Sequence, residues 1–168
     1  MKKENGKSGL EKEFRLASVT ELIHFEPRKV LPSMPVYEVI SLMQEGSADY
    51  VLIVDRTGKL QGIFTDTDIL MKVLKAENLE TSGSLSNPIS RYMSTDVKTI
   101  KSSASIKEAV LMMYQKGFHH LPVMDEENQI FGMINIRDFI VFILDHFPET
   151  VYNILPGHKM STEHREGA

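Results

Sequence analysis

Apolar positions along this chain follow two alternating rhythms. Val36, Val39, Ile40 and Met43 recur at helical spacing and predict a helix that begins near Val36 with one apolar face. Pro32 and Pro35 end the short extended stretch Arg28-Lys29-Val30-Leu31 and start that helix, and Gly46 is a good stop for it. Tyr50 to Val54 is an unbroken apolar run, the pattern of a strand buried on both faces. Asp55-Arg56-Thr57-Gly58 has the residues of a turn in the right order. Leu60 to Phe64 then predicts a return strand, and Asp66 to Leu74 a closing helix.

The same series returns 70 residues on, without a gap from Val19/Ile89 to Lys75/Asp145. Ser105-Ile106-Lys107-Glu108 is a capping box, with Ser at the N-cap and Glu at N3. Gly117 ends that helix, Leu121 to Met124 is the buried strand and Asp125 to Asn128 the turn. Ile130 to Ile134 is the return strand, and Ile136 to Leu144 the last helix. Gly62-Ile63-Phe64-Thr65-Asp66-Thr67-Asp68 is answered by Gly132-Met133-Ile134-Asn135-Ile136-Arg137-Asp138. Identities are few, which points to a duplicated fold and not to recent copying. Helices alternating with short strands predict an α/β (α+β) fold. One such unit has too small a core to stand comfortably alone, so the two units are expected to pack together through their sheets.

The boundaries that follow are a solvated, mobile N-terminal tail at 1–17, a first repeat at 18–75, a polar linker at 76–88, a second repeat at 89–145 and a C-terminal tail at 146–168. Within the last, Val151-Tyr152 and Ile154-Leu155-Pro156 could dock as a short helix, and the chain from His158 reads as disordered. The formal charge of -4 and pI near 5.9 argue against non-specific nucleic-acid binding. No apolar run is long enough to cross a bilayer, and Glu4, Asn5 and Gly6 stand where a secretory leader would be apolar, so a cytoplasmic, membrane-free protein is expected. Without cysteine there is no disulfide or thiolate chemistry.

The ordered set Val-Asp-turn-Leu-x-Gly-Ile-Phe-Thr-x-x-Asp-Ile-Leu, seen twice at constant offset over about residues 18–145, resembles a tandem pair of CBS (cystathionine β-synthase) domains, a Bateman module. Val19 to Ile23 and Ile89 to Met93 resemble the short helix that opens each repeat. The resemblance implies two repeats related by a pseudo-two-fold axis, with two clefts between them that bind adenosine-containing ligands. The ligand it implies is AMP, ADP, ATP or S-adenosylmethionine, held as a regulatory signal and not as a required cofactor. It implies that Thr65 with Asp68, and Asn135 with Asp138, contact phosphate and ribose, and that His120 and Leu121, with their counterparts Tyr50 and Val51, border the adenine pocket. A basic residue before the first strand of each unit, Arg28 or Lys29 and then Lys98, is a further contact in the family. A homodimer is implied as well, and a separate partner protein as the target of the signal.

The residues leave alternatives open. Thr65-x-x-Asp68 and Asn135-x-x-Asp138 have the spacing of helix caps as well as of ligand contacts. Thr65 stands where a strand ends and a helix begins, a place that suits an anion. Asp66 would oppose an anionic ligand in the first cleft, or simply face solvent in the first helical turn. Arg137 would clamp a phosphate beside Asp138, or pair with a surface carboxylate. On this reading the cleft of Asp138 and Arg137 is the one expected to take phosphate.

His119 and His120 face opposite ways on a strand and cannot easily share a metal, and the other histidines lack ligand spacing. Phe118 and Tyr50 are packing residues or base-stacking ones. The chain has no phosphate loop, no His-Glu-x-x-His and no dinucleotide fingerprint, so an enzyme is not expected. Two functions remain: a regulatory adenosyl-sensing module, or a dimerisation and interaction scaffold with empty clefts.

Overall fold

Each apolar run forms the element its rhythm predicts. The computed structural model describes residues 4–74 and 84–148. Helix α1 (Glu4–Leu16) comes first, followed by a 3-10 turn at Val19–Leu22. The first repeat then supplies β1 (Lys29–Val30), α2 (Val36–Glu45), β2 (Tyr50–Val54), β3 (Leu60–Thr65) and α3 (Asp66–Asp68), which runs on as a π-helix over Ile69–Leu74. Short 3-10 turns at Ser84–Ser86 and Ile89–Arg91 precede β4 (Ile100–Lys101), α4 (Ile106–Lys116), β5 (His120–Met124), β6 (Ile130–Asn135) and α5 (Ile136–His146).

The strands form two three-stranded sheets of order β1-β2-β3 and β4-β5-β6. In each, the central strand pairs parallel with the short first strand and antiparallel with the third. The central strands are buried from their second residue on, as their unbroken apolar runs require. The hairpin turns are built alike. Asp55 Oδ1 accepts from the backbone N–H groups of Thr57 and Lys59, and Asp125 Oδ1 from that of Gln129. The left-handed position each turn needs falls to Gly58 (φ 85°) and Asn128 (φ 58°). Ser105 and Glu108 form the predicted capping box at the start of α4.

The packed unit, however, is not the sequence repeat. The opening turns are exchanged. Val19 and Leu22 are fully buried in the core of the second sheet with Ile106, Leu121 and Ile134. Ile89 and Tyr92 lie in the core of the first, with Val36, Val51 and Phe64. Backbone bonds fix the exchange: Val19 N–H donates to Ala104 O and Ile106 N–H to Ala17 O, while Ile89 N–H donates to Met34 O and Val36 N–H to Asn87 O. Burying a Leu or Ile side chain this way is worth about 1.5–3 kcal/mol. The repeated glycines follow from it. A Cβ on Gly62 would stand 2.8 Å from Met93 Sδ, and one on Gly132 would stand 2.6 Å from Ile23 Cδ1. Each sheet bares its backbone where the other repeat's opening segment crosses it.

Three expectations change. Residues 4–17 do not read as a solvated tail, and residues 1–3 lie outside the described residues: α1 carries Glu11 between Arg15 (2.7 Å) and Lys107 (3.4 Å), sets the Phe14 ring 5.8 Å from that of Phe142, and leads into buried Ala17. Glu11 and Arg15 are a helix-spaced pair, and Lys107 ties that pair to α4. The closing segment of the first repeat leaves the α register after Asp68, whereas α5 stays α-helical and continues to His146. Part of the linker, Ser84–Ser86, is a 3-10 turn. Residues 75–83 and the expected docking segment after 148 lie outside the described residues. No helix among the described residues is long and apolar enough to cross a membrane.

Candidate functional site

A cleft of about 560 Å³ opens between the repeats. The first repeat contributes Asp49, Ile63 and the segment Thr65 to Asp68; the second contributes Ser94, Asp96 to Lys98, Gly117 to His120, and Asn135 to Arg137. Of the residues expected in a ligand site, Thr65, Asp68, His120, Asn135 and Arg137 therefore share one cleft. Tyr50, Val51, Leu121 and Asp138 do not line it. Val51 and Leu121 are fully buried strand residues. The grouping of Arg137 with Asp138 is thus replaced: Arg137 joins Thr65 and Asp68, because side chains one apart at the start of α5 leave it in different directions. Phe118 and Lys98 line the cleft as well. Arg28 instead packs its guanidinium over Gly46, and Lys29 pairs with Glu26 at 3.1 Å.

Both Thr-x-x-Asp-type segments act as reciprocal helix caps. Thr65 Oγ1 accepts from Asp68 N–H at 3.3 Å, while Asp68 Oδ2 accepts from Thr65 N–H at 2.9 Å and Thr65 Oγ1 at 3.0 Å. Asn135 Oδ1 accepts from the N–H groups of Arg137 (2.7 Å) and Asp138 (3.3 Å), and Asp138 Oδ2 accepts from Asn135 N–H at 2.7 Å. Beyond the cap the two acids diverge. Asp68 is 7% exposed, and its Oδ1 receives Lys72 Nζ at 2.7 Å and Ser94 Oγ at 3.3 Å. Asp138 is half-buried, and burial pushes its carboxyl above the ordinary value. The Asn135 N–H, His24 and His120 oppose that rise, and Asp49 adds to it.

His120 and Tyr50 occupy equivalent positions in the two repeats and meet at the pseudo-two-fold axis, ring centroids 5.1 Å apart. His120 Nε2 lies 3.3 Å from Asp49 Oδ1 but out of hydrogen-bond alignment, so this buried nitrogen has no partner. Such an atom is costly, and a ligand donor or acceptor in the cleft could satisfy it. His119 is exposed at the edge of the same cleft. Burial, then the charges of Asp138 and Asp49, push the Tyr50 hydroxyl up to about 12.

Among the cleft charges, Asp96 pairs with Lys98 at 2.6 Å and Asp68 with Lys72, while Asp49 stands beside the His120 nitrogen without bonding it. Arg137 lines the cleft and makes no ion pair among the described residues. Sequence reasoning missed Lys72, Ser94 and Asp49. Lys72 stands four residues after Asp68, a readable helical pair. Ser94 and Asp49 reach the cleft only through the packing of the two repeats. Among the described residues no group of three His, Asp or Glu is placed to hold a metal ion.

The CBS domain model matches residues 19–75 and 89–145. The chain belongs to the CBS domain family. A 17.7 kDa protein of Acidianus ambivalens is 28% identical over 116 residues, covering 69% of this chain and 66% of that one. Inosine-5′-monophosphate dehydrogenase of Methanocaldococcus jannaschii is 32% identical over 111 residues, covering 66% of this chain and 20% of the enzyme. The chain thus spans less than two thirds of either relative. Among solved structures, the CBS domain pair of protein MJ0100, in complex with 5′-methylthioadenosine and S-adenosyl-L-methionine, superposes with a TM-score of 0.66 at 19% identity, covering 76% of this chain and 95% of that one. The fold is that of a tandem CBS pair, a regulatory module in which each repeat lends its opening turn to the other's core.

Proposed function

We propose that this CBS pair senses an adenosyl ligand, an adenine nucleotide or S-adenosylmethionine, in the cleft between its repeats and passes the signal to a partner protein by binding rather than by catalysis. The observation that carries this reading is the convergence in one cleft of Thr65, Asp68 and Asn135 with an unpaired guanidinium, Arg137, and a buried imidazole nitrogen, on His120, that lacks a partner. Arg137 suits a phosphate or carboxylate through its fork, and His120 suits a polar edge of a base. The protein MJ0100 pair, of the same fold, holds 5′-methylthioadenosine and S-adenosylmethionine. For Thr65 and Asp68 the capping role comes first, so a ligand would use the hydrogen-bond capacity that the caps leave. Calorimetric titration with AMP, ADP, ATP and S-adenosylmethionine tests the reading. Binding that weakens by about tenfold in Arg137→Ala supports it, in line with the loss of one charge-assisted contact. No heat with any of the four overturns it.

A scaffold function has its own support. Leu70, Met71 and Leu74 are exposed after α3, and Ile140, Val141 and Leu144 are exposed at the equivalent places on α5. Six apolar side chains on two symmetry-related faces favour self-association as a homodimer. Light scattering at micromolar concentration tests it, and a monomer would count against it.

A further inference from the structure

Asp68 and Asp138 hold the same place in the two repeats but stand in different electrostatic company. Lys72 reaches back one turn, places its Nζ 2.7 Å from Asp68 Oδ1, and donates to Ser94 Oγ at 2.8 Å. Ser94 comes from the second repeat and is itself paired with Ile63 through two backbone hydrogen bonds of 2.8 and 3.0 Å. Lys72 also lies within the π-helix Ile69–Leu74, a form rare enough that a functional reason is worth seeking. Around Asp138 the equivalent positions are Phe142 and, from the first repeat, His24; the helix is α throughout, and among the described residues no ammonium pairs with Asp138.

Lys72 does not line the cleft; it stands behind Asp68, which does. Its ammonium cancels a carboxylate that would otherwise face any ligand there. With Asp96 paired to Lys98, the carboxylates and cations on the lining that make no carboxylate–Lys or carboxylate–Arg ion pair among the described residues are Asp49, Asp66 and Arg137. Removing the ammonium would add the Asp68 carboxylate to the two already facing Arg137.

We infer that Lys72 is a positioning residue that sets the charge selectivity of this cleft. By holding Asp68 as an ion pair it admits adenosyl ligands that carry phosphate; without it, the cleft prefers an uncharged nucleoside. The inference rests on the adenosyl reading above and names which ligands that reading admits.

The test is calorimetric titration of the full chain with AMP and with adenosine. Lys72→Gln keeps hydrogen-bonding reach without the charge, and Lys72→Arg keeps the charge. An uncancelled carboxylate several ångströms from a phosphate in a partly wet site weakens binding by about tenfold. Lys72→Gln is therefore expected to lose about tenfold for AMP while adenosine changes by less than about twofold, and Lys72→Arg to bind both as the parent does. Lys72→Met supplies the same comparison should the Gln variant not fold. An unchanged ratio of AMP to adenosine affinity in the charge-free variants, or a failure of Arg to restore it, overturns the inference while leaving the cleft a binding site. A parent protein that binds neither AMP nor adenosine overturns this inference, and one that also gives no heat with ADP, ATP or S-adenosylmethionine overturns the adenosyl reading with it.

Discussion

Tyr50 and His120, equivalent residues of the two repeats, pack against each other with ring centroids 5.1 Å apart and planes tilted by 49°. The pseudo-two-fold axis therefore passes between two unlike aromatic rings, one of which keeps a buried nitrogen without a partner. An unsatisfied buried polar atom costs about 1–3 kcal/mol. His120→Phe keeps the ring contact and removes that atom. It is expected to raise the melting temperature by about 3 °C, while His120→Ala lowers it through the lost packing. Scanning fluorimetry of both variants decides: a Phe variant no more stable than the parent would show that the nitrogen is satisfied in solution.

Tyr50 makes the axis sensitive to alkali. Its hydroxyl ionises near 12 in the folded protein against an ordinary value of 10.0, chiefly because it is buried. A folded value raised above the unfolded one gives stability that is complete below the unfolded value and is lost as pH rises through the folded value. The parent should thus lose stability between pH 10.0 and about 12, and Tyr50→Phe should lose less. Urea unfolding of both proteins across that window would show the difference; parallel curves would refute it.

Asp138 titrates with the same sign at the acid end. Burial raises its carboxyl, so the protonated form favours the fold. That contribution is full below the ordinary carboxylate value of 3.8 and fades as pH rises through the higher folded one. Asp138→Asn keeps an oxygen for the Asn135 N–H and carries no charge. It is expected to melt higher than the parent near neutral pH, with the difference shrinking in acid. A variant that melts lower at both ends of the range would mean that Asp138 gains more from His24 and His120 than burial takes away.

Residues near in sequence were the legible ones. The strands, the helices, the Ser105 capping box and the Thr65 and Asn135 caps all depend on neighbours within four positions, where periodicity and spacing speak directly. What the spacing could not supply was partnership across the repeats. Arg137 shares a cleft with Thr65, which its neighbour Asp138 does not line, and Ser94 of one repeat bonds Asp68 of the other. The charged segment 4–16 reads as solvated because the partners of its Phe14 ring and Glu11 carboxylate, Phe142 and Lys107, lie far along the chain.

Gly62 and Gly132 were legible as repeats but not as contacts. A methyl group on Gly62 would meet Met93 Sδ at 2.8 Å and the carbonyl oxygen of Ser94 at 3.0 Å. That oxygen is fixed by its bond from Ile63 N–H at 3.0 Å, so it cannot simply move aside. Gly62→Ala is expected to cost about 1–3 kcal/mol, the usual price of overpacking. The three atoms nearest a methyl group on Gly132 all belong to the Ile23 side chain, which has somewhat more freedom than a backbone carbonyl, so Gly132→Ala should cost less. Denaturant unfolding would rank the two, and the reverse order would show that the Ile23 contact is the stiffer one.

The exchanged opening turns predict where damage travels. Leu22 belongs to the first repeat by sequence, yet it is fully buried in the core of the second sheet with Ile106, Leu121 and Ile134. Ile89 is its converse, buried beneath the first sheet with Val36, Val51 and Phe64. Truncating either side chain should cost about 2–5 kcal/mol, the range for a buried Leu or Ile. The location of the loss is the sharper test. Leu22→Ala is expected to speed amide hydrogen exchange mainly in β4, β5 and β6, and Ile89→Ala mainly in β1, β2 and β3, because local opening follows the core that has lost contacts. Faster exchange confined to the repeat that carries the substitution would contradict the exchange of segments.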